Sequence, residues 1–364
     1  MKIVVTGTRG IPNILGGVET HCEELFPRIE KLRYNITIIR RKNYVRDSLK
    51  EYKGVNLMDL QAPKYKYLEA MIHTFNAVLA AKFKLHAEVI HIHAIGPAIM
   101  TPLARLLGMK VVFTHHGADY EREKWGKMAK FILRFGERMG IKYANEVIVI
   151  SEVINSHIIQ KYGRKDAHLI FNGVNVPVKS DDTSYLDILG LKKGNYIFAM
   201  GRFVPEKGFD LLINAFAELN LQNIQLVIAG DSDHEDDYST KLKDLAMANH
   251  VVLTGFIKGD KLKVLLTNAL LFVLPSYHEG LPIALLEAMS YNLDILASDI
   301  PANKALELSE DCYFKNKNKD DLSSKLFKKV SSPILNREYD LSAYNWDVIA
   351  KETALVYSEI FHKN

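Results

Sequence analysis

The sequence predicts an α/β protein of two doubly wound domains, and three observations lead there. Short β-rich runs alternate with helix-length amphipathic stretches along the whole chain. Most of the runs are apolar on both faces, as parallel strands covered by helices are. The chain has 364 residues, which at about 100–200 residues per domain makes two domains.

The first domain is read over residues 1–178, with strands expected at Lys2–Thr6, Asn35–Arg40, Val55–Leu60, Val89–His93, Lys110–Thr114, Glu146–Ile150 and His168–Phe171. The second is read over 179–345, with strands at Tyr196–Met200, Gln225–Ala229, Val251–Thr254, Leu270–Leu274, Asp294–Ala297 and Cys312–Phe314. Asn175–Ser184, carrying Pro177 and a run of Ser and Asp, reads as the linker. Residues 346–364 close the chain, with an amphipathic helix expected from Trp346 to His362. In such sheets ligands bind beyond the carboxyl ends of the strands, so function is expected in the loops that follow them.

Composition narrows the class. Apolar residues make up 48% and charged residues 25%, an ordinary globular balance. No apolar run approaches the ~18 residues that span a bilayer. The opening Met1–Val5 reads as a first buried strand rather than a leader. Two cysteines without paired spacing, Cys22 and Cys312, fit a reducing cytoplasm and no zinc ribbon. The net charge of +4 conceals a split: residues 1–178 hold 27 Lys and Arg against 16 Asp and Glu, leaving an acidic second half. A basic half suits an anionic surface such as lipid headgroups or a lipid diphosphate. Nucleic acid is not expected, since no recognised nucleic-acid-binding pattern accompanies the charge.

The unusual residues collect in the predicted loops. After the first strand, Gly7-Thr8-Arg9-Gly10 and Gly16-Gly17 precede a helix expected from about His21, where backbone N–H groups can approach an anion. The loop is neither a Walker phosphate loop nor a G-x-G-x-x-G dinucleotide turn, which argues against ATP hydrolysis and NAD chemistry. His116, after the fifth strand and before Gly117, can donate to a sugar hydroxyl or to developing charge. His91 and His93 share a strand face and are expected in a core or lining role rather than as metal ligands. Gly201-Arg202 and Lys207-Gly208 place two cations around a turn, where they can stabilise a diphosphate leaving group without a metal. Glu279 and Glu287 bracket Gly280, Leu281 and Pro282. Pro282 is well placed as the first helical residue, so the two carboxylates lie at different depths of one loop–helix unit. That arrangement suits a ligand with hydroxyls at both ends and phosphates between.

With these motifs the chain resembles the GT-B glycosyltransferases of the retaining family-4 type over nearly its full length. The most specific element is E-x7-E, Glu279 to Glu287. Gly16-Gly17, His116, Asn172-Gly173-Val174 and the Arg202/Lys207 pair support it. The resemblance implies two Rossmann-like domains facing across a cleft, with the last helix crossing back to the first domain. It implies that Glu279 holds donor-sugar hydroxyls and Glu287 the ribose. Arg202 and Lys207 neutralise the diphosphate, beside Gly201. Backbone around Gly255-Phe256-Ile257 meets the base, Gly280 and Leu281 meet the phosphates, Gly16 and Gly17 lie against phosphate and acceptor, and His116 bonds the transferred sugar. The implied mechanism is front-side displacement with no enzyme nucleophile, no cofactor and no metal. The partners implied are a UDP-, GDP- or dTDP-linked sugar and a glycan or lipid-linked acceptor.

The segments "GTRGIP", "GGVET" and "HHGADYEREKW" resemble rhamnosyltransferase-type enzymes of surface polysaccharide synthesis, which implies a hexosyl or deoxyhexosyl group and points to dTDP-rhamnose as donor, although related enzymes accept other nucleotide sugars. Tyr291-Asn292-Leu293-Asp294 departs from the Gly-x-Pro common in the family, and a later Gly-Gly is missing around Ala302–Glu307. Between Arg122 and Tyr143, Lys127, Lys130, Arg134, Arg138 and Lys142 fall within an arc of roughly 120°. Beside them run Trp125, Met128, Ile132, Phe135 and Met139. The apolar stripe is expected to pack on the sheet, and the cations to touch an anionic membrane surface peripherally. The rival readings are a silent nucleotide-sugar or glycan-binding protein and a GT-B nucleotide-sugar epimerase.

Overall fold

A computed structural model of the protein describes residues 1–63, 69–121, 126–232, 235–332 and 337–361. It divides into two compact units, Met1–Gly173 with Ala343–Asn364, and Val174–Ser342.

The first unit opens with a sheet of eight strands: β1 (Lys2–Thr6), β2 (Asn35–Arg41), β3 (Glu51–Tyr52), β4 (Val55–Leu60), β5 (Val89–His93), β6 (Lys110–His115), β7 (Glu146–Val149) and β8 (His168–Leu169). Their order is β3-β4-β2-β1-β5-β6-β7-β8. All neighbours are parallel except β3 and β4. Five helices alternate with them: α1 (Gly17–Glu30), α2 (Glu69–Phe83), α3 (Thr101–Leu106), α4 (Lys127–Tyr143) and α5 (Glu152–Tyr162). Val5, Phe26, Ile38, Val89 and Val112 belong to the core between sheet and helices.

The second unit repeats the plan with β9 (Tyr196–Met200), β10 (Gln225–Ala229), β11 (Val252–Gly255), β12 (Leu271–Leu274), β13 (Ile295–Ser298) and β14 (Tyr313–Phe314). All are parallel, in the order β11-β10-β9-β12-β13-β14. Its helices are α6 (Ser184–Ile188), α7 (Phe209–Glu218), α8 (Asp237–Ala248), α9 (Asp260–Asn268), α10 (Ile283–Ser290), α11 (Pro301–Lys304) and α12 (Lys319–Val330). Local sequence sets their ends. A capping box joins Asp236 and Ser239 at the start of α8, and Asn318 caps α12.

The closing helix α13 (Trp346–Glu359) belongs to the first unit. Asn345 caps it through the N–H groups of Asp347 and Val348. It packs on α1, with Arg28 Nε on Asp347 at 3.0 Å and the Tyr34 hydroxyl on the Ala354 carbonyl at 3.1 Å. The Trp346 ring covers Gly173, where an added Cβ would lie 2.5 Å from the indole. That contact keeps Asn172 and Gly173 with the first unit. The division therefore falls at Gly173/Val174 rather than at residue 178, and the first unit resumes at Ala343 rather than 346.

Other departures from the sequence reading have local causes. The two-residue antiparallel strand β3 is too short to carry a periodic signal. Helix α1 starts at Gly17, four residues before the expected His21, because Gly16 takes a φ of 145° at the N-cap. An added Cβ at Gly16 would lie 2.2 Å from Glu19 Oε2, so only glycine lets the loop close onto that carboxylate. Pro282 is the N-cap of α10, and Ile283 is its first residue.

Candidate active-site residues in each unit

Each sheet has a point where strand order reverses: between β1 and β5 in the first unit, and between β9 and β12 in the second. Loops leaving neighbouring strands on opposite sides of that point diverge and leave room for a ligand. Gly16, Gly17, Gly201, Arg202, Lys207, Glu279, Gly280 and Leu281 lie in loops leaving strands at these two places, while His116 follows β6 and Gly255 ends the edge strand β11.

In the second unit, the loop after β9 carries Gly201, Arg202 and Lys207, and the loop after β12 carries Glu279, Gly280 and Leu281. The Tyr277 N–H donates to the Glu206 carbonyl at 2.8 Å and ties the loops together. Gly208, at φ 63°, is required at the junction, since a Cβ there would lie 2.4 Å from the Pro275 carbonyl oxygen. The outcome is a short ion pair: Lys207 Nζ donates to Glu279 Oε1 at 2.5 Å, with both side chains mostly buried. Burial pushes the Glu279 carboxyl up, but the Lys207 charge and hydrogen bond outweigh it and leave the pKa lowered. Glu279 is thus an acceptor-only carboxylate held ready for donors. Arg202 is half-buried in the same loop as Lys207, and Glu287 is half-buried within α10. Leu281 is buried and Gly280 half-buried between them.

The loops after β9, β10 and β11 are laced by their backbones. Gly201 N–H donates to Ala229 and Gly230 N–H to Gly255, both at 2.9 Å. Beside that lacing lies a cavity of about 430 Å³ lined by Phe203, Asp231, Lys243, Met247, Leu253 and Gly255 among others. Gly255, expected near the base, thus lines a cavity with an apolar floor. Phe256 is exposed and Ile257 half-buried immediately beyond. Asp231 and Lys243 face each other at 3.2 Å. The sequence reading does not single out either residue, and their only signal is the position of Asp231 just after a strand.

In the first unit, His116 sits past β6 and is not alone. Its Nε2 lies 2.9 Å from His93 Nδ1, and the rings stack with centroids 5.2 Å apart. His21, from α1, meets His116 edge-on at 4.9 Å and donates from Nδ1 to Asn172 Oδ1 at 2.9 Å. His91 stacks on His93 at 4.2 Å, and its nitrogens bond Tyr357 and Thr114 at 2.6 and 2.7 Å. Burial lowers the pKa of His21 to about 4 and holds those of His91, His93 and His116 well below the ordinary range. The rings are therefore neutral, and a single proton is shared between His93 and His116. His115 is fully buried in the other direction. Its Nε2 donates to Glu137 Oε1 at 2.9 Å and its Nδ1 accepts from Gly117 N–H at 3.1 Å, which fixes the loop that presents His116. Gly16 is half-buried and packs on the Arg9–Glu19 pair, while nothing lies within 4 Å of a Cβ built on the exposed Gly17.

Two clusters offer metal-ligating atoms within 4.8 Å of one another among the described residues: His21, His93 and His116, and Asp294, Asp311 and Cys312. In the second, Lys329 and Arg337 already engage both carboxylates, making it an ion-pair network. In the first, His21 Nε2 and His93 Nε2 have no hydrogen-bond partner. The expectation of a lining role for His91 and His93 misses that His93 touches His116.

Two sequence profiles cover the chain in tandem. Glycosyltransferase Family 4 matches residues 15–177 and Glycosyl transferases group 1 matches 182–346. The chain belongs to the family-4 type of GT-B glycosyltransferases. It is 26% identical to the Escherichia coli UDP-Gal:alpha-D-GlcNAc-diphosphoundecaprenol alpha-1,3-galactosyltransferase, over 85% of this chain and 82% of that one. Its fold matches sucrose-phosphate synthase from Thermosynechococcus elongatus with a TM-score of 0.84 at 20% identity, covering 100% of both chains. It also matches Anabaena HepE, solved with UDP-glucose, with a TM-score of 0.78 at 17% identity over 99% of this chain and 100% of that one.

One expectation for the glycosyltransferase is overturned at α4. The apolar stripe is not the buried face: Met128 is 72% exposed and Phe135 43%, with Phe131 beside them at 64%, while Ile132 and Met139 are half-buried. The buried face is Gly136, Glu137, Gly140 and Ile141. Glycine lets the helix come within backbone contact, since a Cβ on Gly136 would lie 2.2 Å from the Ile95 carbonyl oxygen. The buried Glu137 is satisfied by His115, His157, Lys161, Tyr120 and Tyr162. Arg122 and Trp125, counted in that helix from sequence, lie outside the described residues.

Proposed function

We propose that this glycosyltransferase moves a hexosyl or deoxyhexosyl group from a nucleotide sugar to a glycan, with retention of configuration, in the assembly of a cell-surface polysaccharide. The observation that carries this reading is the Lys207–Glu279 pair at the β9/β12 switch point, 2.5 Å long and mostly buried. When a donor enters, Lys207 turns from the carboxylate to the diphosphate beside Arg202, and Glu279 accepts hydrogen bonds from the sugar hydroxyls. The two cations take the role of a metal, so no metal or cofactor is needed. The cavity at Gly255 takes the base, with Phe256 and Ile257 at its margin, and Glu287 takes the ribose. Gly280 and Leu281 flank the phosphates, and Gly16 and Gly17 lie against phosphate and acceptor. His116 bonds the transferred sugar. The departing phosphate takes the acceptor proton in a front-side displacement. The galactosyltransferase and HepE, whose names include a UDP-sugar, favour UDP over the dTDP-rhamnose suggested by the opening motif.

The acceptor is proposed to be lipid-linked, reached from the cytoplasmic face of the membrane. The exposed Met128, Phe131 and Phe135 stand beside Lys127, Lys130, Arg134, Arg138 and Lys142 on one helix, the composition of an interfacial helix. No helix among the described residues is long and apolar enough to cross a membrane.

Thermal shift across UDP-, GDP- and dTDP-sugars tests the donor site. The wild type is expected to be stabilised by one nucleotide class, and Lys207→Gln to lose most of that shift. Equal shifts in wild type and variant would remove Lys207 from the site.

A further inference from the structure

We propose that Arg41, Glu69 and His73 form a subsite for a sugar ring of the acceptor, a reading that rests on the glycosyl transfer proposed above. Arg41 is the last residue of β2, at its carboxyl end. Glu69 and His73 lie four residues apart on α2, hence on one face. Both are nine-tenths buried or more.

Each of the three has one buried polar atom without a hydrogen-bond partner: Arg41 Nε, Glu69 Oε1 and His73 Nδ1. The rest of each side chain shows which way these atoms act. Glu69 Oε2 accepts from the Tyr44 hydroxyl at 3.1 Å, which leaves Oε1 as a bare acceptor. His73 Nε2 donates to the Arg40 carbonyl at 3.3 Å, and burial, with the nearby Arg41 charge, lowers its pKa to about 4. Its Nδ1 is therefore an unprotonated acceptor. Arg41 Nε–H is a donor. Arg41 feels the Glu69 and Glu19 charges, yet among the described residues no ion pair closes between it and either.

An orphaned buried polar group costs about 1–3 kcal/mol, so three gathered around one strand end mark a place shaped for an occupant. Its chemistry follows from the set. One donor and two acceptors suit hydroxyls, each of which both donates and accepts. Charge points the same way. Among the described residues, Arg41 and Arg9 are matched by Glu69 and Glu19, and Arg40 is paired with Asp59 and Asp47 at 2.7 and 2.9 Å, so no uncompensated cation is left there to draw a phosphate. The Arg9 guanidinium lies over the Tyr44 ring at 5.5 Å, giving the subsite a stiff flank. Of the phosphate contacts proposed above, Arg202, Lys207, Gly280 and Leu281 lie in the second unit and Gly16 and Gly17 in the loop after β1, which leaves the end of β2 for the glycan.

Saturation-transfer NMR tests it, using the full chain with UDP present. The probes are the methyl α-glycosides of glucose, galactose, mannose, rhamnose and N-acetylglucosamine. At least one glycoside is expected to give a signal with the wild type that falls at least fivefold in Glu69→Gln and in His73→Phe. The nucleotide-sugar shift should stay at its wild-type value in both variants, and the melting temperature in Glu69→Gln, while His73→Phe also loses the bond to the Arg40 carbonyl. Glu69→Gln keeps shape and volume, so it reports even where His73→Phe fails to fold. No signal from any glycoside with a nucleotide-binding wild type would overturn the subsite, as would an unchanged signal in folded Glu69→Gln. A wild type that binds no nucleotide sugar overturns the donor reading instead.

Discussion

Histidine chemistry dominates the residue scale in the first unit. His21, His73, His91 and His93 are buried and neutral, with pKa values of about 4 for the first two and well below 6.5 for the others. In the unfolded chain each binds a proton near pH 6.5, so acidification from that point favours unfolding. Each group contributes up to about 1.4 kcal/mol per pH unit until its folded pKa is reached. Glu137 acts lower on the scale. Burial pushes its carboxyl up, but hydrogen bonds from His115, His157 and Lys161 more than reverse this. Its contribution is present above its unfolded value of about 4.5 and is lost only as pH falls below it. The urea midpoint is therefore expected to fall steeply between pH 7 and pH 5, before the carboxylates titrate. A flat midpoint over that range would show that these rings are solvated. Sequence names Glu279, Lys207 and His116 because strand ends and glycines advertise them. It is silent on Arg41, Glu69 and His73, because nothing local tells a buried arginine at a strand end from a surface one.

At the scale of elements, α4 shows where periodicity misleads. A 3-4 spacing of apolar residues normally marks the face that packs. Here two glycines and a buried glutamate pack, and the apolar stripe is left beside the cations. The spacing reveals the stripe but cannot say which neighbour it meets. Near an anionic surface each cation is worth about 1 kcal/mol, and a buried Phe or Met about 1.5–3 kcal/mol, so the five cations and the three apolar side chains contribute comparably and act together. The wild type is expected to co-sediment with vesicles containing anionic lipid and not with zwitterionic ones. Phe131→Ser with Phe135→Ser should weaken that binding by tenfold or more without lowering the melting temperature, because both side chains are exposed. Equal sedimentation of wild type and double variant would assign the face to another partner. The strands are legible almost to the residue, since two-sided burial leaves little freedom in composition. Among the described residues only the two-residue β3 escapes.

The whole molecule is two sheets with one rule. In both, the strand order reverses beside the first strand; the loops with Gly16-Gly17, Lys207 and Glu279 leave strands that flank the reversal, whereas His116 leaves β6, one strand further out. Sequence order shows the alternation of strands and helices. It cannot show that β9 and β12 are neighbours, which is what brings Lys207 to Glu279 across 72 positions of sequence. Nor can it show that α13 completes the core of the first unit through Trp346 and Tyr357. The central claim is that this pair handles the donor during transfer. Its most direct test is nucleoside diphosphate release from the stabilising nucleotide sugar, with a lipid-linked oligosaccharide extract as acceptor, in wild type and Glu279→Gln. Turnover is predicted to fall about 100-fold or more in the variant, with nucleotide binding retained and, in the wild type, a product that keeps the donor's anomeric configuration. Unchanged turnover in Glu279→Gln, or an inverted product, would contradict it.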